Sequence, residues 1–450
     1  MSPIARDGGS FREIARLKLT DAHVTGALDA STARLMNGRL AAWGALAEVE
    51  ELRARAHEAR LRVIDDLDAH VARFREAVES RGGATFLART AGEANGHILE
   101  VCRAAGATLA AKSKSMATEE IDLNDALEAA GIRAVETDLG EYILQLAGEH
   151  PVHILAPAIE KTKEDVAELL SAVEGRPVAA DLEALTRVAR TQLRETFLSA
   201  DVGITGANFG VCDTGSIVLV TNEGNGRLVS SLPRVHVVLI GMERLVASLS
   251  DLALMLRLLA RSATGQRLST YTTLITGPRR AGERDGPDEL HVVILDNGRS
   301  RLAGGRYREM LACIRCGACL NVCPVYRKTG GAAYGPVYSG PMGAVLVPLL
   351  AGLEHASDLP HASSLCGACA DACPVKIPLH ELLLELRRDL AEDGVAPLRE
   401  RLAFRLWSWA WSSPAGYRVS TRLARYGRPG KAWRSGRTFP KLGRRYRDTR

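Results

Sequence analysis

The chain lacks any apolar run long enough to cross a membrane. Its two most apolar windows, LALMLRLLA (252–260) and AVLVPLLAGL (344–353), are about half the roughly 20 residues that a spanning helix needs. The first thirty residues also lack the apolar core of a secretory leader, because MSPIARDGGSFREIARLKLT is broken by charge every few positions. A cytoplasmic protein is expected, at most peripheral to the inner face of the membrane. The eleven histidines form no H-x-x-x-H pair, which leaves a mononuclear metal site without support. No G-x-G-x-x-G follows a strand-like run, so no nicotinamide or flavin of its own is expected. Cysteine is scarce, nine in 450 residues, yet seven of the nine fall between 313 and 373.

What is present is ordinary for a globular protein of two or three domains, with 46% hydrophobic and 25% charged residues. Charge is unevenly placed. Residues 401–450 carry fourteen Lys or Arg against the single acid Asp448, a net +13, so the total of +5 leaves −8 on the rest. Trp407, Trp409, Trp411, Tyr417, Tyr426, Trp433 and Tyr446 are interleaved with that charge. Such a tail is either a solvated end or a docking element for an acidic partner protein or an anionic membrane surface. No recognition motif accompanies it, so no nucleic acid is expected.

Residues 1–80 read as a helical segment. Leu46, Val49, Leu52, Leu61, Ile64, Leu67 and Val71 recur mostly every three or four positions across 28–80, which predicts one or two long amphipathic helices. From 81 to 300 strand-like runs alternate with helical ones: GATFLAR, ATLAAKS, IRAVET and VHILAP as strands, AGEANGHILEVCRAAG, EEIDLNDALEAAG and LGEYILQLAG as helices. After a helical stretch at 162–200 come SIVLVTN, RVHVVLIG, TYTTLITG and ELHVVILDN. The alternation predicts an α/β domain with a mostly parallel sheet covered on both faces. Residues 301–395 show no strand signal and end in a helix beginning near Pro378; 396–450 form the basic tail.

The first cysteine motif is Cys313-x2-Cys316-x2-Cys319-x3-Cys323-Pro324. Bacterial-type ferredoxins use this spacing to give three thiolates to one [4Fe-4S] cluster and the fourth to another. The second, Cys366-x2-Cys369-x3-Cys373-Pro374, matches the last three cysteines of the first, with Ser363 where a leading cysteine would fall. Cross-ligation then assigns Cys313, Cys316, Cys319 and Cys373 to one cluster, and Cys323, Cys366 and Cys369 to a second with an incomplete cysteine set. Its fourth ligand could be Ser363, His361, water or substrate, or the site could hold three irons. Structural zinc is the main competing reading, but zinc modules present two separated cysteine pairs rather than this run.

In the α/β domain, TGANFGVCDTG (205–215) and TNEGNG (221–226) read as polar loops flanking a strand, where Asn208, Asp213, Thr214, Gly215 and Glu223 could line a pocket for a small anionic ligand. Ordinary turns are the plainer reading. Lys112, Ser113, Lys114 and Ser115 follow a strand and precede a helix whose Glu119 and Glu120 suit a first turn. Two lysines at a strand's carboxyl end could bind a carboxylate, or simply sit in a solvated loop. Asp138 with Glu141 reads as a helix cap. Cys102 and Cys212, with no cysteine at ligand spacing, read as buried or free thiols.

These stretches resemble the lactate utilization protein B family, the iron-sulfur component of a three-part L-lactate oxidation system. The resemblance lies in CIRCGACLNVCPVYRKTGG, YGPVYSGPMGAVLVPLL, LCGACADACPVKIPLHELLL, KSKSMATEEIDLNDALEAAGIRAVETDLGEYILQLAGEHPVHILAPAIEKT and TGANFGVCDTGSIVLVTNEGNGRLVSSLPRVHVVLIGMERL, covering most of 80–390. It implies that 81–300 form a LUD-type α/β domain similar in fold to the ribose-phosphate isomerase and CoA-transferase group. It implies that 301–395 form a helical ferredoxin-type domain with two iron-sulfur clusters. It further implies that electrons pass through this chain while two companions, one cysteine-rich and one with a LUD-type domain, help turn L-lactate into pyruvate. The three-cysteine second motif is similar to the family's own. A catalyst in the α/β domain, small-carboxylate-binding or CoA-transferase-like, and a redox-sensing scaffold are the alternatives.

Overall fold

The computed structural model describes residues 9–335, 337–395 and 398–426. The chain divides into two compact units, Met1–Asp389 and Leu390–Arg450.

Four helices open the first unit: Phe11–Thr20, Ala22–Gly44, Val49–Asp65 and Leu67–Glu79. Over 28–80 the chain therefore forms three helices rather than one or two. One break lies where Glu48 takes a left-handed φ of 57°. The other falls at Asp66, a residue type whose side chain competes with helical backbone bonds.

Ten strands follow: β1 (Ala84–Ala88), β2 (Leu109–Lys112), β3 (Arg133–Glu136), β4 (Val202–Gly206), β5 (Phe209–Val211), β6 (Ser216–Thr221), β7 (Val235–Gly241), β8 (Leu245–Val246), β9 (Tyr271–Ile275) and β10 (Glu289–Leu295). Six of them make an all-parallel sheet in the order β1-β10-β7-β4-β2-β3. Its central strands are mostly apolar, as burial on both faces requires, and the buried polar pair Thr205 and His236 satisfy each other at 2.9 Å; β7 is buried along its whole length. The expected parallel sheet is present, but β6 and β9 belong to a second sheet, β8-β5-β6-β9, in which β6 runs antiparallel to both β5 and β9. Strand β9 is Thr-rich and mostly exposed, a half-wet edge rather than a core strand.

Two local expectations are corrected. VHILAP (152–157) is not a strand. The buried His153 ring accepts the Leu155 and Ala156 amides through Nδ1, at 3.0 and 3.2 Å, so these donors serve a turn. Conversely, the supposed loop 205–215 contains the end of β4 and all of β5. A Cβ at Gly203 of β4 would lie 1.9 Å from the Val229 carbonyl oxygen, so glycine here serves close packing and not a turn.

Beyond β10 the chain has no strand among the described residues. Short turns carry the cysteines, and Gly340–Ala351 and Leu379–Glu392 are the longer helices. One apolar core joins this region to the helices at 22–44, 49–65 and 249–263, through Leu28, Ala56, Met255, Ile314 and Leu383 among others. In the second unit, helices Leu398–Trp411 and Pro414–Tyr426 expose Trp407, Trp409, Trp411 and Tyr417. Trp433, Tyr446 and Asp448 lie outside the described residues, as does the Tyr426 side chain.

Candidate functional site

The two cysteine motifs have the same local backbone. Arg315 and Gly317 in the first take φ of 57° and 72°; Leu365 and Gly367 in the second take 54° and 81°. These left-handed turns, favoured only for glycine, curl each loop so that amides face inward toward sulfur. At the other end of each motif, the Tyr326 amide donates to Cys323 Sγ at 3.5 Å and the Ile377 amide to Cys373 Sγ at 3.4 Å.

The folded loops sort the seven cysteines into two groups. Cys313, Cys316, Cys319 and Cys373 line one apolar cavity together with Ile154, Met310 and Met342. Cys323, Cys366 and Cys369 form the other neighbourhood; the Cys369 thiol is raised to about 12 by burial and then by Cys323 and Cys366 beside it. Burial also pushes up Cys316, Cys319 and Cys323, and takes Cys373 to about 11. Binding iron as thiolates means giving up those protons, so loading is favoured at higher pH. Four cysteines lining one cavity fit a cluster, with thiolates meeting separate irons.

Sequence reasoning missed the arginines around this void. Helix Val49–Asp65 turns Arg53 and Arg60, two turns apart, toward the cysteine loops. Arg53 donates to the Cys373 carbonyl at 3.0 and 2.7 Å and to that of Asp371 at 2.9 Å. Arg60, fully buried, donates to the carbonyls of Ala312 (3.3 Å), Leu311 (3.1 Å), Leu245 (2.5 Å) and Glu243. Arg244 donates to the Cys313 carbonyl at 2.7 Å. Burial and the crowding of like charges pull Arg60 down to about 9 and Arg244 to about 10. Polar residues on the stripe shared with Leu52, Ala56 and Val63 were the available signal.

A second cavity of about 350 Å³ lies at the carboxyl ends of β2, β4 and β7, and Arg315 and Ile154 line both cavities. Its wall includes Lys114, Asn208, Glu223, Arg244 and Tyr338. In its wall Arg299 bridges Glu120 and Glu243, at 2.6 Å each, and Arg315 reaches Glu243 at 3.1 Å. Burial alone would raise the Glu243 carboxyl, but Arg299, Arg315 and Arg244 hold it down at about 2. Glu120 thus closes a buried network instead of serving a helix's first turn.

Of the other expected pocket residues, Ser113 and Ser115 line this cavity. Lys112 does not, being buried against Glu136 (2.6 Å) and Asn124 (2.5 Å). Asp213, Thr214 and Gly215 form the β5–β6 turn, with Asp213 paired to Arg73 at 2.5 Å. Glu223 is in the wall, its carboxyl raised by burial and then by Asp138. Asp138 caps helix Leu139–Ala147, whereas Glu141 does not complete a capping box: it is buried, and burial and then Glu136 raise its carboxyl well above the usual range. Cys102 and Cys212 are buried, raised by burial to about 11 and about 12.

Three family descriptions match: LUD domain over residues 71–295, 4Fe-4S dicluster domain over 309–377, and Lactate utilisation protein B, C-terminal, over 389–449. The Lactate utilization protein B of Bacillus velezensis is 48% identical over 417 residues, 92% of this chain and 88% of the relative. That of Bacillus subtilis is 47% identical over 417 residues (92% and 87%), and that of Geobacillus kaustophilus 45% over 463 (99% and 97%). A DUF162 family protein of Deinococcus radiodurans, 13% identical, overlaps 51% of this chain and 98% of its own at a TM-score of 0.30. A 4Fe-4S dicluster match spanning all seven clustered cysteines, a LUD domain and these relatives give one conclusion: the chain belongs to the lactate utilization protein B family of iron-sulfur proteins.

Proposed function

We propose that this chain is the electron-transfer component of a complex that oxidises L-lactate to pyruvate, with Cys313, Cys316, Cys319 and Cys373 holding one cluster and Cys323, Cys366 and Cys369 holding the other. The observation that carries this reading is the cavity lined by three cysteines of the first motif and the last cysteine of the second. Converting the hydroxyl of lactate to a ketone releases two electrons and two protons, and two bound clusters would each store one electron. Arg53, Arg60 and Arg244 fix the loop carbonyls and set positive charge beside the first cysteine set, which favours a site that becomes more negative on reduction. Two companion proteins, one cysteine-rich and one with a LUD-type domain, supply the rest of the complex. The basic second unit offers exposed tryptophans for docking to an acidic partner or membrane surface.

The test is purification without oxygen, iron and sulfide analysis, and electron paramagnetic resonance. About eight irons, with reduction by lactate only when both companions are present, is the expected result. Negligible iron and sulfide would remove the reading.

The second cavity favours one further reading, that the α/β domain itself binds a small carboxylate. Lys114 lines it with no hydrogen bond or ion pair among the described residues, and Arg244 and Arg315 add positive charge. Turnover of lactate with an artificial acceptor by this chain alone would favour that reading over an electron carrier.

A further inference from the structure

The second cysteine set is one ligand short, and its loop is built as a copy of the complete one. In the first motif the Arg315 amide donates to Cys313 Sγ at 3.4 Å. In the second the Leu365 amide donates to Ser363 Oγ at 3.1 Å. Ser363 stands three residues before Cys366 as Cys313 stands three before Cys316. The intervening backbones match, with left-handed φ at 315 and 317 and again at 365 and 367. One loop therefore aims an oxygen where the other aims a sulfur.

Two further residues hold the backbone around that oxygen. The Tyr334 hydroxyl donates to the carbonyl of Ala362, the residue before Ser363, at 3.3 Å, and also lies within hydrogen-bonding reach of Cys323. From helix Leu379–Glu392, Arg387 donates to the carbonyls of Pro360 at 2.8 Å and Ser363 at 3.2 Å. Tyr334 thus links the backbone next to Ser363 with Cys323, a cysteine of the second set.

We propose that Ser363 Oγ is the fourth ligand of the second cluster, giving a four-iron site with three thiolates and one alkoxide. This rests on the iron-sulfur reading above. Ligation forms one iron–oxygen bond, and the hydroxyl proton leaves to solvent from this half-buried position, as a thiol's does. Iron's charge favours the deprotonated oxygen, and the Leu365 N–H stabilises it as an amide stabilises a thiolate. No electron moves in the step. Oxygen is the harder ligand, so this iron is the one held least firmly in a sulfide cluster.

The test compares Ser363→Ala and Ser363→Cys in the full chain, purified without oxygen. The alanine variant is expected to lose one iron of about eight and to gain the oxidised-state resonance of a three-iron cluster, with the first cluster's signal unchanged. The cysteine variant is expected to keep all its iron and to shift the second cluster's midpoint potential alone. Full iron with unchanged spectra in Ser363→Ala, unchanged potentials in Ser363→Cys, or the same iron loss on His361→Ala instead would overturn the assignment. Wild-type protein without iron would remove the underlying reading, a separate failure.

Discussion

The two cysteine sites of this protein come from nearly identical loops and end in unlike surroundings. The first has four cysteines around one apolar cavity, under Arg53, Arg60 and Arg244. In the second, Cys366 is exposed and the position matching Cys313 is a serine. The duplicated turns fix where donor atoms point, but what packs over each loop is supplied from elsewhere. Helix Val49–Asp65, more than two hundred residues upstream, covers the first with cations. Reduction adds negative charge, so fixed cations in a low-dielectric site should make the first cluster the better electron acceptor.

Arg60→Leu attacks that contrast hardest. It strips the guanidinium from the carbonyls of Ala312, Leu311, Leu245 and Glu243 and should cost at least about 3 kcal/mol, since each buried carbonyl left unpaired is penalised. A lowered thermal unfolding midpoint, with the first cluster's potential shifted negative in the folded fraction, is the expected pair of results. Chelator challenge of the wild type should sharpen the contrast from the other side: iron leaves the second site first, through exposed Cys366, while the first cluster's signal persists. Equal rates at both sites would erase the distinction.

How much of this was legible in the sequence depended on distance along the chain. The cysteine spacing and the parallel alternation are local patterns and were visible directly. Strand β4 was not, because Gly203 and Gly206 look like turn residues when their role is to admit the Val229 carbonyl and the Ser115 side chain. VHILAP was read as a strand because its apolar pattern conceals His153, whose ring takes the amides a sheet would have used. Lys112 and Lys114 looked equivalent; only the fold commits the first to Glu136 and leaves the second in a cavity wall. The arginine cover was hardest to see, since its acceptors are backbone carbonyls, which no side-chain pattern records.

Two smaller effects follow. On the reading that the α/β domain binds a small carboxylate, Lys114→Ala should weaken lactate binding, measured by calorimetry, by about tenfold, the value of one charge-assisted contact; it should leave both cluster signals intact. Deleting 398–450 should change neither iron content nor spectra, because the cysteines lie in the separate unit Met1–Asp389.

The most direct test of ligation shared between the two motifs is the resonance spectrum of Cys373→Ala beside those of Cys316→Ala and Cys369→Ala. Cys373 belongs to the second motif by sequence and to the first site by structure. Shared ligation predicts that the Cys373→Ala spectrum superimposes on that of Cys316→Ala, the first cluster gone and the second retained. A Cys373→Ala spectrum matching Cys369→Ala would show that each motif serves its own cluster, and would contradict it.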